Sequence, residues 1–212
     1  EYKNYDIESI KEFPKVITEI KGLRGLNVTI PYKEEIIPYL DKLSKTAKKI
    51  GAVNCVTISK KKKLKGYNTD YHGFKKSIKP LLKDHHKKAL ILGTGGASKA
   101  IAYALRSLKI EYDFVSRTAD EFQYKYEELD ASIFEEYTVI INTTPVGTHP
   151  NVDDCPNLDY SLFTKKHIAY DLIYNPEETA FLRKAKAQGA VTKNGYEMLV
   201  LQAEKAWKIW NE

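Results

Sequence analysis

The segment that most constrains this chain is Ala89-Leu90-Ile91-Leu92, followed at once by Gly93-Thr94-Gly95-Gly96-Ala97-Ser98. Consecutive apolar residues without alternation predict a short strand buried on both faces, as in a parallel sheet covered by helices. The glycine-rich turn opens a predicted helix through Leu108, and Tyr112 to Ser116 supplies the next strand, closing a βαβ unit. Glycines permit the tight turn and let backbone amides approach a pyrophosphate, whose charge is favoured at a helix N-terminus. A purely structural turn is the bland alternative. The strand–turn–helix context favours a dinucleotide site at Gly93, Thr94, Gly95, Gly96 and Ala97. Ser98 stands where that pattern has its third glycine or alanine, so slightly looser helix–strand packing is expected there.

The end of the second strand discriminates between cofactors. An acidic residue there binds the ribose hydroxyls of NAD, whereas Ser116-Arg117-Thr118 suits the additional phosphate of NADP. NADP is the expected cofactor.

The rest of the chain alternates between strand and helix patterns and predicts an α/β protein of two domains. Tyr2 to Ile7 reads as a strand, and Pro14 opens an amphipathic helix carrying Val16, Ile17 and Ile20. Leu26 to Ile30 reads as a strand with Asn27 and Thr29 on one face and Val28 and Ile30 on the other, ended by Pro31. A helical region is expected from Lys33 to Ile50, interrupted near Pro38, and then a hairpin of Val53 to Ser59 with Leu64 to Tyr67. A second unit begins near Asp70, with a helix from Tyr71 to Leu82. Beyond the βαβ unit come strands at Val139 to Asn142 and Ile168 to Asp171 and a helix from Glu177 to Gln188 stopped by Gly189. A final helix runs from about Tyr196 to Trp210.

Composition excludes several classes. The net charge of +6 over 212 residues comes largely from Lys60 to Lys63, Lys83, Lys87 and Lys88, where turns are expected, without the aromatic residues of a nucleic-acid platform. No run of ~18 apolar residues suggests a membrane span, and no targeting leader is visible. Cys55 and Cys155 lie far apart, which fits a reducing compartment, and His85-His86 reads as a polar loop, so no metal site is expected. A cytoplasmic protein acting on a small molecule, as monomer or homodimer, is the expectation.

Lys33 is delivered to the end of a strand, where open α/β sheets place their ligands. Transfer of hydride from an alcohol needs a place for the hydroxyl proton, and a lysine can provide it when burial disfavours its charged form, an effect that a neighbouring carboxylate opposes. Asp70, in Asn68-Thr69-Asp70, falls at a predicted helix start, where an N-cap is the alternative role. Asn54 and Gln202 are polar residues in apolar surroundings, suited to a polyol ligand or to backbone hydrogen bonds.

Together these segments resemble the shikimate dehydrogenase family. The carrying residues are Asn27-Val28-Thr29-Ile30-Pro31-Tyr32-Lys33, Gly51-Ala52-Val53-Asn54, Tyr67-Asn68-Thr69-Asp70 with Gly73, and the Gly93 to Ser98 turn. Ser116-Arg117-Thr118, Asn142-Thr143-Thr144-Pro145-Val146-Gly147, Tyr170-Asp171-Leu172-Ile173-Tyr174-Asn175-Pro176 and Gly195 through Gln202 follow in the family's order. The resemblance implies reversible NADPH-dependent reduction of 3-dehydroshikimate to shikimate in aromatic amino acid biosynthesis, with Lys33 and Asp70 as the catalytic pair. It implies that Asn27, Thr29, Asn54, Tyr174 and Gln202 meet the substrate. The glycine turn, Ser116, Arg117, Thr118, Asn142, Thr143, Leu172 and Gly195 would line the NADP site. It further implies a substrate domain of residues 1–69 plus 195–212, a Rossmann-like NADP domain of residues 70–194, and a cleft between them that closes.

Some positions depart from the family. A Ser-x-Ser segment for the substrate carboxylate is not found ahead of Glu1, so an absent amino-terminal unit and poor shikimate binding are expected. Glu121 occupies a turn position that is often basic, so Arg117 is expected to act alone on the phosphate and discrimination against NAD to be modest. Thr148 and His149 follow Gly147 where a methionine is frequent, and Asn194 precedes Gly195 where aspartate is common. An NAD-linked quinate/shikimate dehydrogenase, a methylenetetrahydrofolate dehydrogenase and a non-catalytic NADP-binding module are the rival readings.

Overall fold

Pro14 lacks an amide proton and sits in the first turn of α1 (Phe13–Glu19), whose Phe13 is buried. The computed structural model describes residues 1–212, which fall into two compact units, Glu1–Thr69 with Ala206–Glu212, and Asp70–Lys205. The first unit holds the strands β1 (Gly25–Asn27), β2 (Lys42–Leu43), β3 (Cys55–Ile58) and β4 (Leu64–Tyr67) in the order β1-β3-β4-β2. The expected hairpin is present, running antiparallel from Cys55↔Tyr67 to Ile58↔Leu64. β1 also pairs antiparallel with β3 and only β2 and β4 are parallel, so this small sheet is mixed where the alternating pattern pointed to parallel layers around the hairpin. Helix α2 (Lys45–Ile50) starts where the Ser44 hydroxyl accepts the Ala47 amide and stops at Gly51, whose φ of 75° favours glycine. Phe13, Val28, Ile36, Ala47, Val53, Val56 and Leu64 form its core.

Three expectations fail in this unit. Residues 2–7 form no strand; Tyr2 instead packs near Trp210, and the Ile7 carbonyl accepts the Tyr32 hydroxyl at 2.8 Å. The strand at Leu26 ends at Asn27 rather than Ile30, because Val28 turns inward to donate to the Asn54 carbonyl while Ile30 is left 72% exposed. The region from Lys33 to Ile50 is interrupted near Pro38 as expected, but only its last part is α-helix: turns over 33–36 and a 3-10 turn (Ile37–Tyr39) come first, β2 follows, and α2 ends it.

The second unit begins with α3 (Asp70–Ile78) and is built on β5 (Lys88–Leu92), α4 (Gly96–Ser107), β6 (Glu111–Val115), β7 (Gln123–Tyr124), α5 (Ala131–Glu136), β8 (Val139–Asn142), β9 (Ile168–Asp171), α6 (Ala180–Ala187) and β10 (Val191–Lys193). Helix α7 (Tyr196–Asn211) ends the chain. The six strands lie in the order β10-β9-β8-β5-β6-β7, and every neighbouring pair is parallel. From β5 the chain moves outward to β6 on one side and later returns to β8 on the other, so the order reverses beside β5. One apolar layer packs Phe74, Ile78, Ile101 and Leu105 against Ile91, Ile141 and Tyr170; the other packs Phe134, Phe163 and Phe181 against Leu90, Leu92 and Ile140. Met198 of α7 belongs to the first of these layers, which is why this compact unit extends along α7 to Lys205.

Two buried histidines sit at the opposite end of the strands from the glycine turn. His86 accepts the Lys83 amide through Nδ1 at 2.8 Å and meets the Lys166 carbonyl through Nε2, while His167 bridges Thr164 and the Phe134 carbonyl. Burial lowers both imidazole pKa values below the ordinary 6.5. The unfolded rings therefore take up protons first, so their contribution is complete above about pH 6.5 and is lost as pH falls below it. Relative to a His167→Gln variant, the protein is expected to lose unfolding free energy between about pH 7 and about pH 5, read from urea midpoints. A constant difference would show that His167 does not titrate on unfolding.

Candidate active site

The C-terminal ends of β6, β5, β8 and β9 bring the expected cofactor residues to one edge of the sheet. Gly93 donates its amide to the Val115 carbonyl, its φ is 98°, and a Cβ there would stand 2.8 Å from Thr144 Cγ2. Gly93 is thus required by backbone conformation and by the approach of the neighbouring loop. Gly95 is different: its φ is −74°, nothing lies within 4 Å of an added Cβ, and it caps α4 without a side-chain hydrogen bond. An uncapped helix N-terminus beneath exposed Thr94 and Gly95, with Gly96 and Ala97 as its first residues, suits a pyrophosphate group. Ser98 is buried and donates to the Gly95 carbonyl at 2.7 Å, so this residue tightens the turn rather than loosening it.

Across β6, the Ser116 hydroxyl accepts the Thr118 amide at 3.3 Å, and Arg117 and Thr118 are exposed. Arg117 acts on the Tyr126 phenol, whose ionisation burial pushes up and the guanidinium eases. Asn142 is fully buried: its carbonyl oxygen accepts the Thr144 amide and hydroxyl, and its amide donates to Asp171. Thr143 donates to the Leu92 carbonyl at 2.7 Å. The Asn142 and Thr143 side chains thus shape this edge from behind. A Cβ on Gly195 would fall well inside van der Waals contact distance of the Leu172 carbonyl oxygen, so Gly195 is there for close packing onto the loop after β9. Tyr174, on the same loop, is half exposed.

In the first unit the β1–β3 pairing gathers polar residues at one strand end. The Asn27 amide donates to the Asn54 carbonyl at 3.0 Å, and the Lys33 carbonyl accepts the Val53 amide at 2.7 Å. Lys33 is half-buried, and Thr29, whose carbonyl accepts the Tyr32 amide, is exposed. Asn54 locks onto Thr69, taking its amide at 2.6 Å and donating to its hydroxyl at 2.9 Å. Its backbone-bonding role is therefore present, and it fixes the residue directly before Asp70.

Asp70 is buried as the first residue of α3. Gly73, one turn on and on the same face, meets α7: a Cβ there would lie 2.5 Å from the Met198 carbonyl oxygen and 3.2 Å from Gln202 Cβ. This glycine brings Gln202, which also donates to the Leu199 carbonyl, alongside the face of α3 that begins at Asp70. The sequence reading did not give Gly73 that packing role, although a glycine inside a helix pattern was its signal.

The shikimate dehydrogenase substrate binding domain model matches residues 1–56. A shikimate dehydrogenase (NADP(+)) of Caldanaerobacter subterraneus subsp. tengcongensis is 42% identical over 207 residues, covering 89% of this chain and 72% of the relative. The chain belongs to the shikimate dehydrogenase family. The crystal structure of shikimate dehydrogenase from Aquifex aeolicus aligns with a TM-score of 0.84 at 39% identity over 96% of this chain and 78% of that one. The family member from Thermus thermophilus, solved in complex with NADP(H) and shikimate, aligns with a TM-score of 0.82 at 34% identity, covering 95% and 78%. In the present chain, no helix is long and apolar enough to cross a membrane.

Proposed function

We propose that this protein catalyses the reversible NADPH-dependent reduction of 3-dehydroshikimate to shikimate, a step of aromatic amino acid biosynthesis, as a cytoplasmic monomer or homodimer. The observation that carries the reading is the open glycine turn at Gly95, at the switch point of the parallel sheet, in a chain that also holds the Lys33 and Asp70 motifs in the family's order. NADPH, when bound, supplies the hydride. The chain supplies binding, orientation and the proton.

In this reading residues 1–69 plus 195–212 handle the substrate and residues 70–194 the cofactor. Lys33 donates a proton to the oxygen that gains negative charge as the ketone is reduced, and takes it back in the reverse direction. Asp70 shares the hydroxyl and keeps the lysine oriented. Asn27, Thr29, Asn54, Gln202 and Tyr174 hold the ring hydroxyls, which supply both donors and acceptors to be matched. Gly93 to Ala97 receive the pyrophosphate, while Ser116, Arg117 and Thr118 receive the additional phosphate. Asn142, Thr143, Leu172 and Gly195 border the remainder of the cofactor.

Spectroscopic measurement of NADPH formation with shikimate and with quinate tests the proposal. Turnover of shikimate with NADP+ is expected, at a raised KM where the Ser-x-Ser segment is missing; cofactor binding without turnover of either substrate in a protein that carries that segment would favour a regulatory module. Arg117→Ala is expected to weaken NADP+ about tenfold while leaving NAD+ nearly unchanged, because only the former loses a charge-assisted phosphate contact. Equal weakening of both cofactors would remove Arg117 from phosphate recognition.

A further inference from the structure

Asp171 is a fully buried carboxylate at the end of β9, and no role in the proposed chemistry falls to it. Its Oδ1 accepts the Asn142 side-chain amide at 3.1 Å and the Ile173 backbone amide at 3.0 Å, and its Oδ2 accepts the Thr179 hydroxyl at 2.7 Å. These three neutral donors lead to different segments. Asn142 holds the loop after β8 through the Thr144 amide and hydroxyl, at 3.0 and 2.7 Å, and through the Val146 carbonyl at 3.4 Å. Ile173 begins the loop that carries Tyr174, and its carbonyl accepts the Gly195 amide at 3.0 Å. Thr179 caps α6 by accepting the Leu182 amide at 3.3 Å. Thr144 in turn abuts Gly93 of the glycine turn. One carboxylate is thus the common acceptor for the Asn142 side chain, the start of the loop after β9 and the cap of α6.

We propose that Asp171 is a positioning residue for the cofactor: through Asn142 it holds loop 143–147, whose Thr144 borders the glycine turn, and through Ile173 and Thr179 it ties loop 172–179 to the same anchor. This rests on the reading of that edge as the NADP site. Burial pushes the Asp171 carboxyl up to about 6, and the titratable side chain facing it is the Tyr160 phenol, whose ionisation the Asp171 charge helps to raise. Near neutral pH the group is therefore mostly the ionised acceptor that three donors require. An asparagine replaces it poorly: with its carbonyl oxygen on the Asn142 and Ile173 amides, its NH2 would force the Thr179 hydroxyl from donor to acceptor and take away that hydroxyl proton's partner.

The test compares the protein with Asp171→Asn and Thr179→Val by calorimetric titration of NADP+, by steady-state kinetics, and by amide hydrogen exchange without cofactor. Asp171→Asn is expected to raise Kd for NADP+ and KM for NADPH about tenfold while kcat stays within about twofold. Exchange at the Ile173 and Thr144 amides is expected to accelerate about tenfold, with the amides of β5 unchanged. Thr179→Val, which removes one donor, is expected to weaken NADP+ about threefold, and it decides the matter if Asp171→Asn does not fold. Unchanged exchange at Ile173 and Thr144, accelerated exchange with unaltered Kd, or a loss of kcat at constant KM would each overturn the proposal. Absence of NADP+ binding by the unaltered protein would instead overturn the cofactor reading, and the exchange data would still report whether Asp171 holds the loops.

Discussion

Replacing Lys33 by alanine is expected to lower kcat for shikimate oxidation by on the order of 10² or more, with the affinity for NADP+ unchanged. The size follows from losing a positioned acid–base group at the oxygen that changes charge. The selectivity follows from where the residue sits. Lys33 is anchored through its backbone, the carbonyl accepting the Val53 amide, so truncating the side chain leaves the strand end intact. The proposed cofactor residues belong to the Asp70–Lys205 unit, whereas Lys33 belongs to the other. Asp70→Asn is the companion variant: it keeps the volume and the helix-start position but removes the charge, and a kcat loss with preserved NADP+ affinity is expected again. The readout is NADPH formation, with folding checked by thermal unfolding. Near-normal kcat in Lys33→Ala would remove the residue from the proton-transfer role.

The larger unit was legible because its information is local. Leu90, Ile91 and Leu92 are apolar on both faces and lie in the middle of the sheet, and the glycine turn, the α4 pattern and the β6 strand follow within one βαβ unit. The short strands β7 and β10 and the six-residue α5 carry too few residues for a period to emerge, although Asp130 marks the start of α5 by accepting the Ile133 amide. The smaller unit was harder to read because its strand assignments depend on partners distant in sequence. Tyr2 to Ile7 has the residues of a strand but no ladder to join, and its Tyr2 ring meets Trp210 instead. Lys33 to Ile50 has helical composition, yet Pro38 and the β2–β4 pairing override propensity.

The same distinction runs through the candidate site. Which residue types cluster was visible in the motifs, whereas their division of labour was not. Asn142 and Thr143 spend their side chains on Asp171, Thr144 and the Leu92 carbonyl, and Asn54 spends its amide on Thr69. Thr144 lies two residues from Asn142, but Asp171, Leu92 and Thr69 lie on other strands or loops, so no short window of sequence contains those pairs. Asp171 itself was visible only as a charged residue ending an apolar strand.

Glycines show how such roles are separated by experiment, and Gly195→Ala carries the largest expected effect on stability. The methyl would collide with the Leu172 carbonyl group, which is backbone on a loop already tied down by the Asp171 carboxylate at Ile173. Relief requires α7 to lift from that loop, breaking the Gly195 N–H bond to the Ile173 carbonyl just before the helix begins. Overpacking of about 2 kcal/mol and a lost hydrogen bond of about 1 kcal/mol give a destabilisation of about 3 kcal/mol. For a chain of this length that lowers Tm by roughly 6–12 °C. Gly95→Ala should behave in the opposite way. Its φ of −74° is open to any residue and nothing stands within 4 Å of the new methyl, so stability should fall by no more than about 1 kcal/mol at this cap position. The methyl would nevertheless occupy the space through which a phosphate approaches the uncapped amides of α4, and NADP+ affinity should drop at least tenfold. An unchanged Tm for Gly195→Ala would mean that the Leu172 loop yields without cost. Unchanged NADP+ affinity for Gly95→Ala would remove the glycine turn from the cofactor site, and with it the observation on which the functional reading stands.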